Sequence, residues 1–270
     1  MQPIDRRTFI ADMGRGAFAL AVVSLAACSP ATLATARPSA SAAASAPGSS
    51  PSGSPEPSAS SAAGSPPSGN PPARDGVTWQ RVNLGFVSAY ILARGGQAAI
   101  VDTGVGGSAG AIEDSLAALG LDWSAVEHLI LTHRHDDHAG SATEIMDAAP
   151  EMAAYAGAED ISGISVPRPL TPVEDGDRVF DLQIVTTPGH TPGSISVYDA
   201  GSGLLIAGDA LRTEGGRPGL PGGQFTEDMD EAIRSVAKLG ELVFETLLVG
   251  HGDPLEGGAS ALVAELAANQ

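Results

Sequence analysis

The chain has 270 residues, with 14 Lys plus Arg against 32 Asp plus Glu and a formal net charge of −18. That balance excludes a protein that coats nucleic acid through a basic surface, and it disfavours phosphate-rich or anionic-membrane partners. Hydrophobic residues make up 43%, enough for a core, but aromatics are only 4%, so that core must be mostly aliphatic.

In chain order, Arg6-Arg7 precedes an apolar run from Ala17 to Ala27 (AFALAVVSLAA). The run is too short to span a bilayer, which takes about 20 residues. A positive start, a short apolar stretch and small residues at its end read as a secretory signal, and the paired arginines resemble the twin-arginine export signal of bacteria. Leu25-Ala26-Ala27-Cys28 resembles a lipoprotein box, and Cys28 is the single cysteine. Residues 1–28 are therefore expected to form a signal peptide with a lipobox. The protein is expected on the outer face of the cytoplasmic membrane, attached only through a lipid at Cys28. Residues 29–75 are almost entirely Ser, Ala, Pro and Gly, too poor in apolar surface to offset the entropy of ordering them, and are expected to be a disordered linker.

Residues 76–270 read as one domain of mixed α/β type. Alternating runs predict strands at 77–83, 86–94 and 98–102, and Ile112, Leu116 and Leu119 predict an amphipathic helix opened by Ser108 and closed by Gly120. Further strands are expected at 126–132, 178–187, 195–199, 204–208 and 246–250. Helices are expected from near Ala139, from about Thr226 to Gly240, and from about Ala259.

The chemistry lies in the turns that follow these strands. Five of the six histidines occupy three such turns. Thr132-His133-Arg134-His135-Asp136-Asp137-His138 is the densest; His133 and His135 can face one way in an extended segment, and Asp137 and His138 follow where the chain turns into a helix. Three imidazoles and a carboxylate this close make a poor core and a good site for zinc or another first-row ion. His190 stands between Pro188-Gly189 and Pro192-Gly193, His251 between Gly250 and Gly252, and Asp209 ends the apolar strand 204–208.

Together these residues resemble the metallo-β-lactamase fold superfamily over roughly residues 77–258, with an HxHxDH motif of high specificity. The order His133, His135, Asp137, His138, His190, Asp209, His251 looks like the binuclear set of the glyoxalase II and lactonase branches. The resemblance implies a four-layer αββα sandwich preceded by the disordered N-terminal region. His133, His135 and His190 would hold one metal and Asp137, His138 and His251 a second, with Asp209 bridging. The cofactors would be two divalent ions, zinc first, with manganese or iron as alternatives. A pair of cations about 3.5–4 Å apart polarises a carbonyl and activates a shared water. The expected activity is therefore hydrolysis of a small ester, thioester or lactone, with Asp137 as the catalytic residue that orients the nucleophile. An iron-dependent persulfide dioxygenase and a non-catalytic surface-anchored binder are the alternatives.

Several residues call for plainer readings. His128 is expected to be a packed strand histidine, and Asp102 a carboxylate supporting the ligand loop from behind. The glycines of 102–110 miss the dinucleotide-binding spacing and read as a turn. Arg134 and Asp136 are expected to face solvent or pair with other charges. The stretch 215–223 reads equally as a pocket loop or an inert one.

Overall fold

The computed structural model describes residues 76–270, so the expected signal, lipobox and linker lie outside the described residues. The first sheet opens with an antiparallel meander, β1 (Thr78–Asn83), β2 (Ser88–Arg94) and β3 (Gln97–Val101). It continues through parallel β4 (Val126–Leu131), β5 (Ala153–Gly157) and β6 (Thr171–Val173), in the order β1-β2-β3-β4-β5-β6. Helix α1 (Ala109–Ala118) connects β3 to β4, and α2 (Asp136–Ala139) with α3 (Ala142–Ala148) connects β4 to β5.

The second sheet contains β7 (Arg178–Val179), β8 (Leu182–Thr186), β9 (Ile195–Asp199) and β10 (Leu204–Ile206). A small hairpin of β11 (Arg212–Glu214) and β12 (Arg217–Gly219) and helix α4 (Met229–Gly240) lead from β10 to β13 (Thr246–Leu248), which pairs parallel to β10. β14 (Leu255–Glu256) and α5 (Ala259–Ala268) complete the chain, and the sheet order is β14-β13-β10-β9-β8-β7.

Strand alternation makes the layers. In β2 and β3, Ile91, Ala98 and Ile100 point to one face and pack with Ile112 and Leu116 of α1 and Ile145 and Met146 of α3. Their neighbours Tyr90, Leu92, Ala99 and Val101 point the other way, onto Leu182, Ile184, Val197 and Ile206 of the second sheet. The far face of that sheet, through Val185, Leu205 and Leu247, packs on Val236 and Leu239 of α4 and Val263 of α5. Three apolar seams thus separate helices, sheet, sheet and helices, the expected αββα order, and each follows from the two-residue period of a strand.

Some boundaries differ from the sequence expectation. The run 178–187 is a hairpin of β7 and β8, because Phe180 and Asp181 both adopt left-handed backbone (φ 54° and 62°). Neither Gly nor Pro marks that turn; Arg94 holds it by donating to the Phe180 carbonyl at 3.3 Å and lying 5.6 Å over the Phe180 ring. The helix expected from Ala139 starts earlier, at Asp136 inside the histidine motif, and breaks after Ala139. Gly140 lies so close to the backbone of Gly106 and Gly104 that a Cβ there would overlap it. The helix expected from Thr226 starts at Met229, since the Asp228 carboxylate caps it by accepting from Glu231 N at 2.9 Å. Strands β5 and β6 give no clear sequence signal, because β5 is alanine-rich and β6 carries Pro172.

Candidate metal centre

All seven predicted donors leave the ends of strands on one edge of the two sheets. The turn after β4 brings His133, His135, Asp137 and His138; the turn between β8 and β9 brings His190; the segment after β10 brings Asp209; and the segment after β13 brings His251. His133 Nε2 lies 3.1 Å from His135 Nδ1, and His190 Nε2 lies 3.0 Å from the same atom. Asp209 stands centrally, with Oδ1 3.2 Å from His138 Nε2 and Oδ2 3.4 Å from His190 Nε2 and 3.2 Å from His251 Nε2. Asp137 Oδ2 is 3.3 Å from His251 Nε2. Three overlapping clusters result: His133, His135 and His190; His133, His138 and Asp209; and Asp137, His138 and His251.

Four of the five imidazoles are pinned through Nδ1, which leaves Nε2 facing the cluster. His138 Nδ1 donates to Asp102 Oδ2 at 2.8 Å, and His251 Nδ1 donates to the Phe86 carbonyl at 2.7 Å. Thr132 Oγ1 donates to Asp102 Oδ2 at 2.8 Å, so its lone pair receives His133 Nδ1 at 3.1 Å. Thr226 Oγ1 donates to the Gly222 carbonyl at 3.0 Å and receives His190 Nδ1 at 3.3 Å. Fixing one ring nitrogen as donor presents the other as a lone pair, which is how a metal-binding histidine is oriented. Asp102, on the left-handed backbone (φ 62°) just past β3, also accepts from Thr132 N at 2.8 Å, so it supports the ligand loop as expected.

The electrostatics are those of a cation site. Burial, with help from the neighbouring His138, pushes His133 well below the usual imidazole range, and burial takes His190 down to about 4, so both offer lone pairs. Burial works against charge on His138, but Asp209 and Asp102 outweigh it and hold this ring well above its ordinary range. Asp137, then Asp209, hold His251 up at about 10, so an ion taking the place between these groups would displace the Nε2 proton of His251, as of His138. Asp209 is itself held well below the usual carboxylate range, because His138 and His251 outweigh its burial. His138 Nε2 and Asp209 Oδ1 are nonetheless buried without a hydrogen-bond partner; their 3.2 Å approach lacks the geometry of one. Such orphaned atoms are costly unless something between them is shared, and a divalent ion fits both.

Backbone contacts press the turns together. Ser88 N donates to the Gly250 carbonyl at 2.9 Å and Gly250 N to the Gly208 carbonyl at 3.0 Å, tying the His251 segment to β2 and to the Asp209 segment. A Cβ on Gly250 would overlap Asp209 Oδ1 and the His138 ring. Gly250→Ala is therefore expected to leave the fold standing and to lower metal content by at least about 10-fold, measured by metal titration followed by circular dichroism.

One residue of this scaffold has no signal in the sequence. Asp160, fully buried, accepts from Arg134 N at 2.9 Å, Arg134 Nη1 at 2.7 Å, Thr191 Oγ1 at 2.6 Å and Gly193 N at 2.9 Å. It clamps the loop of His133 and His135 to the turn of His190. Arg134, expected to be solvent-facing or paired, makes this pair and a second with Glu227. Asp136 is exposed, and His128 packs between Tyr155 and Phe180 at centroid distances of 5.8 and 5.6 Å.

The model of the metallo-beta-lactamase superfamily matches residues 82–251, which contain every one of these donors. The chain belongs to that superfamily. Among its relatives is a probable metallo-hydrolase, YflN, of Bacillus subtilis, 31% identical over 201 residues, covering 58% of this chain and 76% of the relative. A hydroxyacylglutathione hydrolase of Gloeobacter violaceus is 34% identical over 153 residues, 55% of this chain; the match spans only 56% of that enzyme. The crystal structure of a metallo-beta-lactamase family protein from Thermus thermophilus superposes with a TM-score of 0.59 at 25% identity, covering 72% of this chain and 79% of the other.

Proposed function

We propose that this superfamily member is an exported metal-dependent hydrolase of an ester, thioester or lactone carbonyl. The observation that carries the reading is the convergence of seven donors around two buried atoms, His138 Nε2 and Asp209 Oδ1, that lack a hydrogen-bond partner. His133, His135 and His190 would hold one divalent ion and Asp137, His138 and His251 a second, with Asp209 between them. Zinc is the first choice, manganese or iron the alternatives; such ions polarise a carbonyl and make water acidic enough to ionise near neutral pH.

The chain's own residues do the rest. The Nδ1 partners Asp102, Thr132, Thr226 and the Phe86 carbonyl keep the imidazoles from turning. Asp137, half-buried and lining the cleft beside His251, can accept a hydrogen bond from the attacking water and so orient it. Metal analysis of the purified full-length protein tests the reading: about two ions per chain and loss of ester hydrolysis on chelation are expected. One iron per chain with oxidation of a persulfide substrate would replace it by a dioxygenase, and no metal at all would leave only a binding protein.

Export rests on the sequence of residues 1–28 and on the Cys28 lipobox, with the 29–75 linker as tether to the 76–270 domain. Exchanging Arg6-Arg7 for Lys-Lys is expected to retain the protein in the cytoplasm, as read by cell fractionation and immunoblot; unchanged export would refute the twin-arginine route.

A further inference from the structure

Four large apolar side chains stand exposed among the described residues: Phe86 (64%), Val105 (36%), Phe225 (63%) and Val243 (76%). Solitary exposed hydrophobics are ordinary on protein surfaces, but a group of them gathered round one polar floor marks a binding surface. Three of these four line a single cleft of about 740 Å³, whose floor carries His135, His190, Asp209 and His251. They come from three separate segments: Phe86 from the β1–β2 turn, Val105 from the loop after β3, and Phe225 from the stretch before α4. Leu211 and Pro221, both buried, continue the apolar wall.

The walls are held in place by the donors they surround. The Phe86 ring lies nearly parallel to His251, at 6.1 Å between centroids and 13° between planes, and its carbonyl holds His251 Nδ1. Phe225 N donates to the Gly222 carbonyl at 2.9 Å, and the next residue, Thr226, pins His190. A carbonyl placed over the donors would therefore have the rest of its molecule lying on preset apolar surface. Cationic partners are scarce there: Arg212 is the single Lys or Arg in the lining, and it lies 3.8 Å from Glu214. Asp136 adds a negative charge to the lining.

We infer that the substrate is a neutral ester or lactone with an apolar chain lying on Phe86, Val105 and Phe225. This rests on the hydrolase reading and narrows it. A thioester carrying a peptide or phosphate carrier would lay its carboxylates or phosphates along walls that, outside the donor floor, offer one guanidinium, that of Arg212, itself 3.8 Å from Glu214, so the carrier would gain little there. A neutral chain needs no such partner, and a cleft of this size accommodates it.

The test uses the full-length, metal-loaded protein with p-nitrophenyl acetate, butyrate and octanoate, and a glutathione thioester for comparison. The kcat/KM is expected to rise about two- to fourfold per added methylene, the upper value being that of a fully buried one, and the thioester is expected to fall below octanoate. Phe225→Asp is expected to cut the octanoate-to-acetate ratio by at least about tenfold. Independently of turnover, the neutral fluorophore N-phenyl-1-naphthylamine is expected to bind the metal-free full chain, to be displaced by octanol, and to bind Phe225→Asp poorly. A flat or falling chain-length series with turnover still abolished by chelation overturns the apolar-chain inference and leaves the hydrolase reading intact. Fluorophore binding that Phe225→Asp weakens, without turnover of any ester, upholds the apolar cleft and overturns the hydrolase reading. Fluorophore binding that Phe225→Asp does not weaken overturns the inference.

Discussion

Asp209→Ala is expected to reduce hydrolysis by more than about 100-fold and to lower bound metal from about two ions per chain, because partners lying behind a ligand already cost about 10–100-fold when removed. Asp209 is the one carboxylate placed to reach both halves of the cluster: its Oδ1 faces His138 at 3.2 Å and its Oδ2 faces His190 and His251 at 3.4 and 3.2 Å. Alanine also leaves the His138 ring without one of the two carboxylates that offset its burial. Kinetics with parallel metal emission spectrometry check the prediction; a variant with full activity and full metal would remove Asp209 from the bridging position. Asp209→Asn, which retains one oxygen donor but loses the charge, is expected to fall between the two.

Asp160→Ala is expected to be the most destabilising change outside the donors, by about 3–5 kcal/mol, the range for breaking a buried ion pair by removing one partner. Four donors lose their acceptor at once, two of them backbone N–H groups and one the guanidinium of Arg134. In a domain of this size that corresponds to a melting-temperature drop of roughly 10 °C. The same substitution uncouples the loop of His133 and His135 from the turn of His190, so bound metal is expected to protect the variant against heat less than it protects the parent. Arg134→Ala is expected to cost less, since its side chain is 26% exposed and Asp160 keeps Thr191 and two backbone donors. Thermal unfolding with and without added zinc checks both, and equal melting temperatures for Asp160→Ala and the parent would refute the clamp.

The identities of the donors are legible in the chain itself. Three histidines and an aspartate within six residues have few structural uses, and the spacing of His133, His135, Asp137 and His138 is a local property of the sequence, beside which His190, Asp209 and His251 take on meaning. The apolar periodicity likewise marks β2, β3, β4, α1 and α5 to within a few residues, because side-chain direction in a strand or helix repeats with the local backbone. The hairpin of β7 and β8 is not legible in this way: its turn uses Phe180 in left-handed backbone, held by Arg94 from another sheet. Asp160 is not legible either, since an Asp after an alanine-rich strand looks like any turn residue until Arg134, Thr191 and Gly193 close on it.

What the sequence alone determined, then, was the set of candidate donors, the layer pattern and the negative charge of the domain, all of which depend on residue type and on spacings of a few positions. Tertiary structure decided which nitrogen each imidazole presents, which residue clamps the two ligand turns together, and that Phe86, Val105 and Phe225 share one cleft. These are contacts between segments far apart in the chain, as with Phe86 and His251, separated by 165 positions. Such pairs form only when the two sheets stack and bring their strand ends to one edge, and the energy of that stacking is spread over the whole aliphatic core rather than written in any local motif.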